Sequence, residues 1–265
     1  MRLALGLSYH GAAYRGWQSQ PDRRTVQDRF ETALSRFADR EVRSVCAGRT
    51  DAGVHALNQV VHLDIDIVRD TSAWVRGVNR YLPADIAVQW CVPVADAFHA
   101  RYSAHGRRYV YLLLESAVRT SVEQGAAGWT LRPLDGDRMR EAAALLIGER
   151  DFSAFRSSEC QAASPVKELR ALAIRRHGAY WRFDFDASAF LHHMVRNLMG
   201  CLVAVGAGRR DAAWVSEVLA SKDRSRAAPT FAAAGLYFAG PYYDAAHAIP
   251  TRSAAMDWLP GSNGQ

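Results

Sequence analysis

Several features that define other classes of protein are missing from this 265-residue sequence. No run approaches the roughly 18 apolar residues needed to span a bilayer, and the amino terminus reaches Tyr9 and His10 too early for a secretory signal. The four cysteines are scattered, without a CxxC pair or metal-ligand spacing. These absences predict a cytoplasmic protein with buried, reduced thiols and neither a structural metal nor a membrane segment.

Lysine is scarce as well, because 31 of the 33 basic residues are arginine. The net charge of +6 permits a polyanionic partner but does not require one. The planar guanidinium binds phosphate and stacks on bases, yet a bias spread over the whole chain is equally expected from genomic composition. Charge alone therefore identifies no partner.

Hydrophobic periodicity predicts most of the regular elements. Residues 2–9 alternate as a half-buried strand does, and Thr25 can cap a helix whose apolar side chains, from Val26 to Phe37, fall on one side. Asp211 can cap another helix over residues 212–220. Further helices are predicted at 71–79, 137–147 and 190–205, and further strands at 60–67, 86–94, 107–115, 167–176, 179–186 and 235–239.

This order of elements predicts an α+β fold of two similar halves. Each half is expected to be a mainly antiparallel sheet backed by helices, with a catalytic cleft in the centre. The predicted boundaries are an amino-terminal half at 1–117, a linker rich in Gly, Ser and Ala at 118–136, a carboxy-terminal half at 137–245, and a flexible tail at 246–265.

Residues 45–64, VCAGRTDAGVHALNQVVHLD, hold the most specific candidate for chemistry. Gly48 and Gly53 bracket the ionisable core of Arg49 and Asp51, and glycine permits backbone angles and close approaches closed to other residues. The pattern is typical of a tight loop that presents one carboxylate. A turn in which Asp51 bonds its own backbone is the structural alternative.

Two other segments contain charged residues that the hydrophobic pattern of a strand or a helix does not explain. Residues 98–116, FHARYSAHGRRYVYLLLES, interleave basic and aromatic side chains, which suits an RNA surface, although an amphipathic strand would explain Tyr109 equally well. Arg196 lies within the most apolar predicted helix, where a buried guanidinium needs a carboxylate or phosphate partner. A surface arginine that extends its head group to water is the alternative for Arg196.

A series of motifs, in order, resembles the bacterial tRNA pseudouridine synthase A family. The motifs are YHGAAYRGWQSQ, GRTDAGVHA, NRYLP, FHARYSA with RRYVY, DFSAF, FLHHMVRNLMG and PT followed by GLYF, and they span most of the chain from residue 3 to residue 243. Three positions depart from the family pattern: Ser188 stands where Asn is usual, Ala12 where Thr is frequent, and Ala232 lies near an expected proline. The departures bear on loop shape and on the pocket lining.

The resemblance implies an isomerase, an intramolecular transferase that converts uridine to pseudouridine at tRNA positions 38, 39 and 40 in the anticodon arm. It implies no metal or organic cofactor, a tRNA partner and a homodimer. Within that family pattern Asp51 is the nucleophile, Arg196 its ion partner, and Tyr109 the ring that stacks on the target base. The residues expected to contact substrate are Tyr109, Leu236, Arg49, Phe98, His99, Arg101, Tyr102, Cys160 and Gln161.

Two functions of other classes fit parts of the sequence. A noncatalytic RNA-binding protein would explain the basic and aromatic segments, but an acid such as Asp51 in a phosphate-lined groove would be repelled by its ligand. A metal hydrolase would need carboxylate and imidazole ligands, for which the candidates are Asp51, His55, His62, His192 and His193. No HExxH pattern supports it.

Overall fold

The structure is a computed structural model that describes residues 1–251. Its helices are α1 (Val26–Ala38), α2 (Thr71–Asn79), α3 (Gly136–Ala144), α4 (Met194–Gly206) and α5 (Ala212–Ser221). Its strands are β1 (Arg2–Tyr9), β2 (Val45–Cys46), β3 (His55–Asp64), β4 (Ile86–Val94), β5 (Gly106–Glu115), β6 (Gly128–Thr130), β7 (Gly148–Asp151), β8 (Val166–His177), β9 (Tyr180–Ala187) and β10 (Leu236–Tyr242). The α+β class and the mainly antiparallel pairing are confirmed. No helix within these described residues is long and apolar enough to cross a membrane.

The chain forms two compact units. The first holds Met1–Gly106 and the described residues from Tyr237 onward, and the second holds Arg107–Leu236. In the first unit β1 lies between β3 and β4 and is antiparallel to both, with Leu5 opposite Val61 and Cys91. β10 pairs in parallel with β3, and the short strand β2 is antiparallel to β3.

Helices α1 and α2 cover the first unit through aromatic contacts. Phe30 of α1 is fully buried and lies beside Trp17, with ring centroids 6.4 Å apart. Phe37, near the end of α1, meets Trp74 of α2 edge to face at 5.1 Å. Thr25 caps α1, since its side chain accepts a hydrogen bond from the Asp28 amide, as the sequence predicts.

The strands of the second unit are antiparallel neighbours in the order β5, β9, β8, β7, with β6 parallel to β5. Trp181, Phe183 and Phe185 alternate along β9 and are all buried, as their period of two predicts. Helix α3 contacts α4, α5 and β8. Asp211 caps α5 by accepting from the Trp214 amide, which confirms the predicted cap.

Some boundaries differ from those predicted from sequence. The helix expected from residue 190 starts at Met194, because His193 has a φ of +63° and such a left-handed backbone cannot belong to an α-helix. The helix predicted at 137–147 runs from Gly136 to Ala144, and β7 begins at Gly148. Strands β2, β6 and β7 were not predicted, since two to four residues carry too little periodicity.

The division into units also differs from the predicted boundaries. Residues 107–117 belong with the second unit, because β5 pairs with β9 over its length. Residues 237–245 belong with the first, because β10 pairs with β3. Within the predicted tail at 246–265, the His247 ring lies 5.1 Å from that of Phe98. Residues 252–265 of the tail lie outside the described part of the chain.

All four cysteines fall within the described residues and are free thiols. Cys91, Cys160 and Cys201 are buried, and Cys46 is half-buried. Burial raises the pKa of the Cys46 thiol to about 11 and that of Cys91 to about 12, so both remain protonated at neutral pH. Three of the four thiols are therefore buried, as expected from the sequence, and Cys46 is only half-buried.

Candidate active site

The candidate acid, Asp51, lies in the loop that joins β2 to β3. Its side chain is half-buried, while Arg49 is exposed and Thr50 is buried. The Val54 amide donates to the Asp51 carbonyl at 3.1 Å, which closes a tight turn around the acid. Gly53, inside that turn, has a φ of +78°, which accounts for glycine at this position. The loop therefore presents Asp51 from a tight turn that requires glycine at position 53. At Gly48 a Cβ would lie 3.6 Å from Phe238, an ordinary contact, so that glycine is not required by space.

A second segment, residues 11–17 after β1, forms backbone hydrogen bonds with this loop. The Trp17 amide donates to the Thr50 carbonyl at 3.0 Å, and the Gly53 amide donates to the Tyr14 carbonyl at 3.2 Å. Gly16 has a φ of +85°, and a Cβ built on it would lie 2.6 Å from the Thr50 oxygen. The glycine-rich motif therefore has a structural role, because only glycine lets the two backbones approach this closely.

Beneath the loop, Thr50 and Tyr9 share a buried hydrogen bond. Their hydroxyl oxygens are 2.8 Å apart, and both residues are almost completely buried. Burial raises the pKa of the Tyr9 phenol, so the group stays neutral and serves as a hydrogen-bonding anchor. Sequence reasoning assigned Tyr9 only to the strand, although its place on the apolar face of β1 was the available signal.

Two histidines near the loop have structural roles through Nδ1. His55 accepts from the Gly11 amide at 3.0 Å and stacks on Tyr237 with centroids 4.5 Å apart. His62 accepts from the Ala100 amide at 3.1 Å, and burial lowers its pKa to about 4. While these bonds stand, neither Nδ1 atom is available as a metal ligand.

The basic and aromatic segment of the first unit forms a ladder of flat groups. The His99 ring lies 4.7 Å from His62 and 4.3 Å from Tyr102, and the Arg101 guanidinium lies 5.6 Å from the Tyr102 ring centre. The ladder ends in solvent, because Tyr102 is 76% exposed. Phe98, expected to contact substrate, has no exposed surface and packs in the core below, so in this conformation it supports the segment from inside.

In the second unit, Tyr109 and Leu236 are held by β5 and by the residues before β10. Tyr109 is half-buried, and its ring meets Phe190 edge to face at 5.0 Å. Leu236 is buried, and the preceding residue, Gly235, accepts the Leu112 amide at 2.8 Å through its carbonyl. The Phe190 contact thus positions the Tyr109 ring, and the Gly235 hydrogen bond anchors the backbone beside Leu236.

Arg196 lies on α4 and is half-buried. Its Nε donates to the Phe231 carbonyl at 2.9 Å, and its own carbonyl accepts the Phe231 amide at 3.1 Å. Cys160 is buried, with its sulfur 3.4 Å from the His192 amide nitrogen, whereas Gln161 is exposed. Of this predicted pair of substrate contacts, only Gln161 reaches the surface.

Two departures from the family pattern have visible local partners. The Ser188 hydroxyl accepts the Glu168 amide at 3.1 Å, so serine here ties β8 to the end of β9. The Ala232 carbonyl accepts the Tyr111 hydroxyl at 2.8 Å. Both positions are therefore held by hydrogen bonds in this chain.

Comparison with known proteins gives a consistent result. The chain is 74% identical over 260 residues to the tRNA pseudouridine synthase A of Methylibium petroleiphilum, which covers 98% of this chain and 100% of that relative. It is 59% identical over 264 residues to the protein of the same name from Polaromonas naphthalenivorans, with the same coverage. A solved Cbf5-Nop10-Gar1 complex matches with a TM-score of 0.35 and 12% identity, covering 76% of this chain and 45% of that chain, a likeness too weak to bear on the fold.

The sequence model of the family described as tRNA pseudouridine synthase matches residues 7–103 and 142–244. These ranges include the Asp51 loop, the aromatic ladder and α4. With three quarters of its length matched and relatives aligned from end to end, the chain belongs to the tRNA pseudouridine synthase family.

Proposed function

We propose that this protein isomerises uridine to pseudouridine at positions 38, 39 and 40 in the anticodon arm of tRNA, with Asp51 as its nucleophile. The observation that carries the proposal is the Asp51 loop, in which a half-buried carboxylate is presented from a backbone held by Tyr14, Trp17 and Tyr9. Membership of the family supports the reaction, and the relatives' printed name supports tRNA as the substrate.

The chemistry suits a single carboxylate. The N1–C1′ bond of uridine breaks, a C5–C1′ bond forms, and one proton leaves C5 while N1 gains one. No atom or electron is gained or lost, so the balance requires no cofactor. A carboxylate can form and then release a covalent adduct, which divides the exchange into two steps. Asp51 is given this role, and the unpaired base must leave its stack before the carboxylate can reach it.

The remaining roles follow from side-chain chemistry. Tyr109 is proposed to stack on the extruded base and Leu236 to form an apolar wall against it, because stacking and water exclusion offset part of the cost of unpairing. Arg196 is proposed as the ion partner of Asp51, since a cation favours the charged carboxylate. Arg49, His99, Arg101, Tyr102 and Gln161 are proposed to meet the RNA, where exposed cations bind phosphates and exposed rings stack.

The site specificity can be tested with transcripts that differ at three nucleotides. Unmodified tRNA with uridine at 38, 39 and 40 is compared with a transcript carrying cytidine there, and product is mapped by carbodiimide adducts that stop reverse transcription. Product confined to these positions in the first transcript is expected. Product elsewhere would overturn the assignment of positions, and tight binding without product would favour a noncatalytic RNA-binding protein.

We propose further that the enzyme works in the cytoplasm as a homodimer, which the family resemblance implies. A tRNA is large enough to contact a catalytic site on one subunit and a binding surface on the other. Analytical ultracentrifugation is expected to give about twice the chain mass of 29.3 kDa. A monomeric mass in the enzyme that also turns over tRNA would contradict the dimer alone.

A further inference from the structure

The second unit contains an open cavity of about 480 Å³ that the proposed function does not use. Every side chain that lines it is polar, and none is acidic. The lining residues are Ser153, Arg156, Ser157, Ser158, His193, Asn197, Arg224 and Thr230. Hydroxyl and guanidinium groups are hydrogen-bond donors that bind oxyanions.

Both arginines in the cavity are held by neutral oxygen atoms. Arg224 donates to the Asn197 side-chain oxygen and to the Thr230 hydroxyl, both at 3.0 Å, and Arg156 donates to the Cys160 carbonyl at 2.5 Å. Among residues 1–251, neither guanidinium has a carboxylate within 4.0 Å, whereas many arginines elsewhere in this part of the chain are paired. Both guanidinium groups therefore line the cavity without an ion pair to a carboxylate.

The positions of these groups are fixed from the core. Asn197 is completely buried, and its side-chain nitrogen donates to the Phe155 carbonyl at 2.8 Å. The Thr230 hydroxyl donates to the Asn197 oxygen at 2.7 Å, which joins α4 to the segment before β10. The cavity is thus a preorganised set of donors, and the first turn of the 13-residue helix α4 adds its positive dipole end.

The cavity is next to a residue of the proposed active site. Arg196 and Phe231 exchange two hydrogen bonds, and their immediate neighbours, Asn197 and Thr230, line the cavity. An anion bound here would be close to Arg196. For a polynucleotide substrate, the anion nearest a reacting nucleotide is a phosphate of its own backbone.

We propose that this cavity binds a backbone phosphate of the tRNA close to the target uridine, with Arg156 and Arg224 as the cationic ligands. The inference rests on the proposed function for the identity of the RNA. Its physical role is to fix the backbone while the base is unstacked, because phosphate contacts set position and carry no sequence information.

The first test measures tRNA affinity at several salt concentrations for the wild type, Arg156→Gln and the control Arg175→Gln. Arg175 is an exposed arginine on β8, paired with Asp184 at 3.3 Å, so the control removes the same charge outside the cavity. Arg156→Gln is expected to weaken binding about tenfold and to reduce the salt slope by about 0.7 to 0.9. Equal slopes for the two variants would overturn the proposal.

A second test identifies the phosphate. An anticodon-arm RNA is made with one uncharged methylphosphonate linkage at each position in turn. At one linkage near the target uridine, the substitution is expected to weaken wild-type binding about tenfold and Arg156→Gln binding hardly at all, since the partner is already missing. A scan in which every linkage affects both proteins equally would contradict the proposal.

Two controls distinguish an RNA phosphate site from a purely structural role of Arg224 and from a site for free phosphate. Arg224 also supports Asn197, so Arg224→Gln is compared with Arg224→Lys, which keeps the charge and is expected to recover part of the affinity. Inorganic phosphate is titrated without RNA, and saturable binding that needs Arg156 but leaves the RNA salt slope unchanged would overturn the RNA assignment. Binding is measured independently of turnover, so the two proposals can fail separately. If the wild type forms no product, the proposed function is wrong. If product forms normally and Arg156→Gln binds tRNA as the wild type does, only this inference is wrong.

Discussion

Thr50 connects the Asp51 loop to the core of the first unit. Its hydroxyl and that of Tyr9 are 2.8 Å apart in a site closed to water. Thr50→Val keeps the shape of the side chain and removes this partner from the Tyr9 hydroxyl, which keeps its hydrogen bond with Gln59, so the change costs about 0.5–1.5 kcal/mol. We expect the free energy of unfolding in urea to fall by that amount and kcat to fall more than KM rises, because Asp51 is the next residue.

The matched variants for Thr50 are Tyr9→Phe and the double mutant. Removing both hydroxyls leaves no unmade bond between them, so the double mutant is expected to lose less stability than the sum of the single mutants. Strict additivity of the two losses would show that the hydrogen bond contributes nothing, and the anchoring role of Tyr9 would then be wrong.

A second single residue, His62, makes the stability of the protein depend on pH. Burial lowers its pKa to about 4 in the folded state, against 6.5 in an unfolded chain, so the unfolded chain binds the proton more strongly between these values. The contribution of His62 to the free energy of unfolding is therefore fully present above about pH 6.5. It is lost as the pH falls toward 4. The loss is about 1–3 kcal/mol.

Urea unfolding of the wild type and His62→Asn at pH 7.5 and pH 5 isolates this contribution. Asparagine does not titrate, and its side-chain oxygen can accept the Ala100 amide in place of Nδ1. The wild type is expected to lose more stability between the two pH values than the variant. The same loss in both proteins would assign the pH dependence to other groups.

At the scale of elements, the close approach of residues 11–17 to the Asp51 loop is the critical packing feature. Gly16→Ala places a methyl group 2.6 Å from the Thr50 carbonyl on a backbone with a φ of +85°. We expect a loss of about 2–4 kcal/mol in stability, from backbone strain and displacement of the loop, together with most of the activity.

Gly178→Ala is the matched control for this change. Gly178 also has a positive φ, +58°, but nothing lies within 4 Å of its Cβ position, so it reports backbone strain alone at about 1 kcal/mol. Gly178→Ala should keep full activity. If Gly16→Ala behaved like Gly178→Ala in both measurements, the segment would not hold the loop.

The elements that sequence predicted correctly are those with local signals. The alternation of β1, the cap at Thr25 and the cap at Asp211 each act within a few residues, so periodicity and capping patterns sufficed. The parallel pairing of β10 with β3 could not be predicted, because Tyr237 and His55 are far apart in sequence. The sequence of neither strand indicates which other strand it pairs with. The left-handed His193 that delays α4 had no local signal either.

The candidate site shows the same division between local and distant information. The loop around Asp51 was predicted from its own glycines, whereas the support by Tyr9 and the donors of the phosphate cavity depend on contacts between distant segments. Phe98 was expected at the RNA surface from its neighbours in the motif, and its burial reflects packing against Tyr243, which sequence could not reveal.

For the whole molecule, the positions of particular arginines say more about function than the net positive charge does. A net charge of +6 with 31 arginines is compatible with many functions. Exposed Arg101 beside Tyr102 in the first unit, and Arg156 with Arg224 in the second, are arrangements suited to stacking and to phosphate binding. Each unit therefore carries exposed or cavity-lining arginines of a kind that binds RNA, and the candidate nucleophile is a single carboxylate.

The central claim is that Asp51 is the nucleophile of a metal-free tRNA pseudouridine synthase. The most direct measurement compares pseudouridine formation by the wild type, Asp51→Asn and the control Asp66→Asn on unmodified tRNA in chelator, with tRNA affinity measured in parallel. Asp66 is an exposed partner of Arg40, so its replacement removes a carboxylate of no proposed catalytic role. We predict product from the wild type and Asp66→Asn, and a rate lower by on the order of 10⁴-fold or more in Asp51→Asn at similar affinity. Turnover by Asp51→Asn within about tenfold of the wild type would contradict the account.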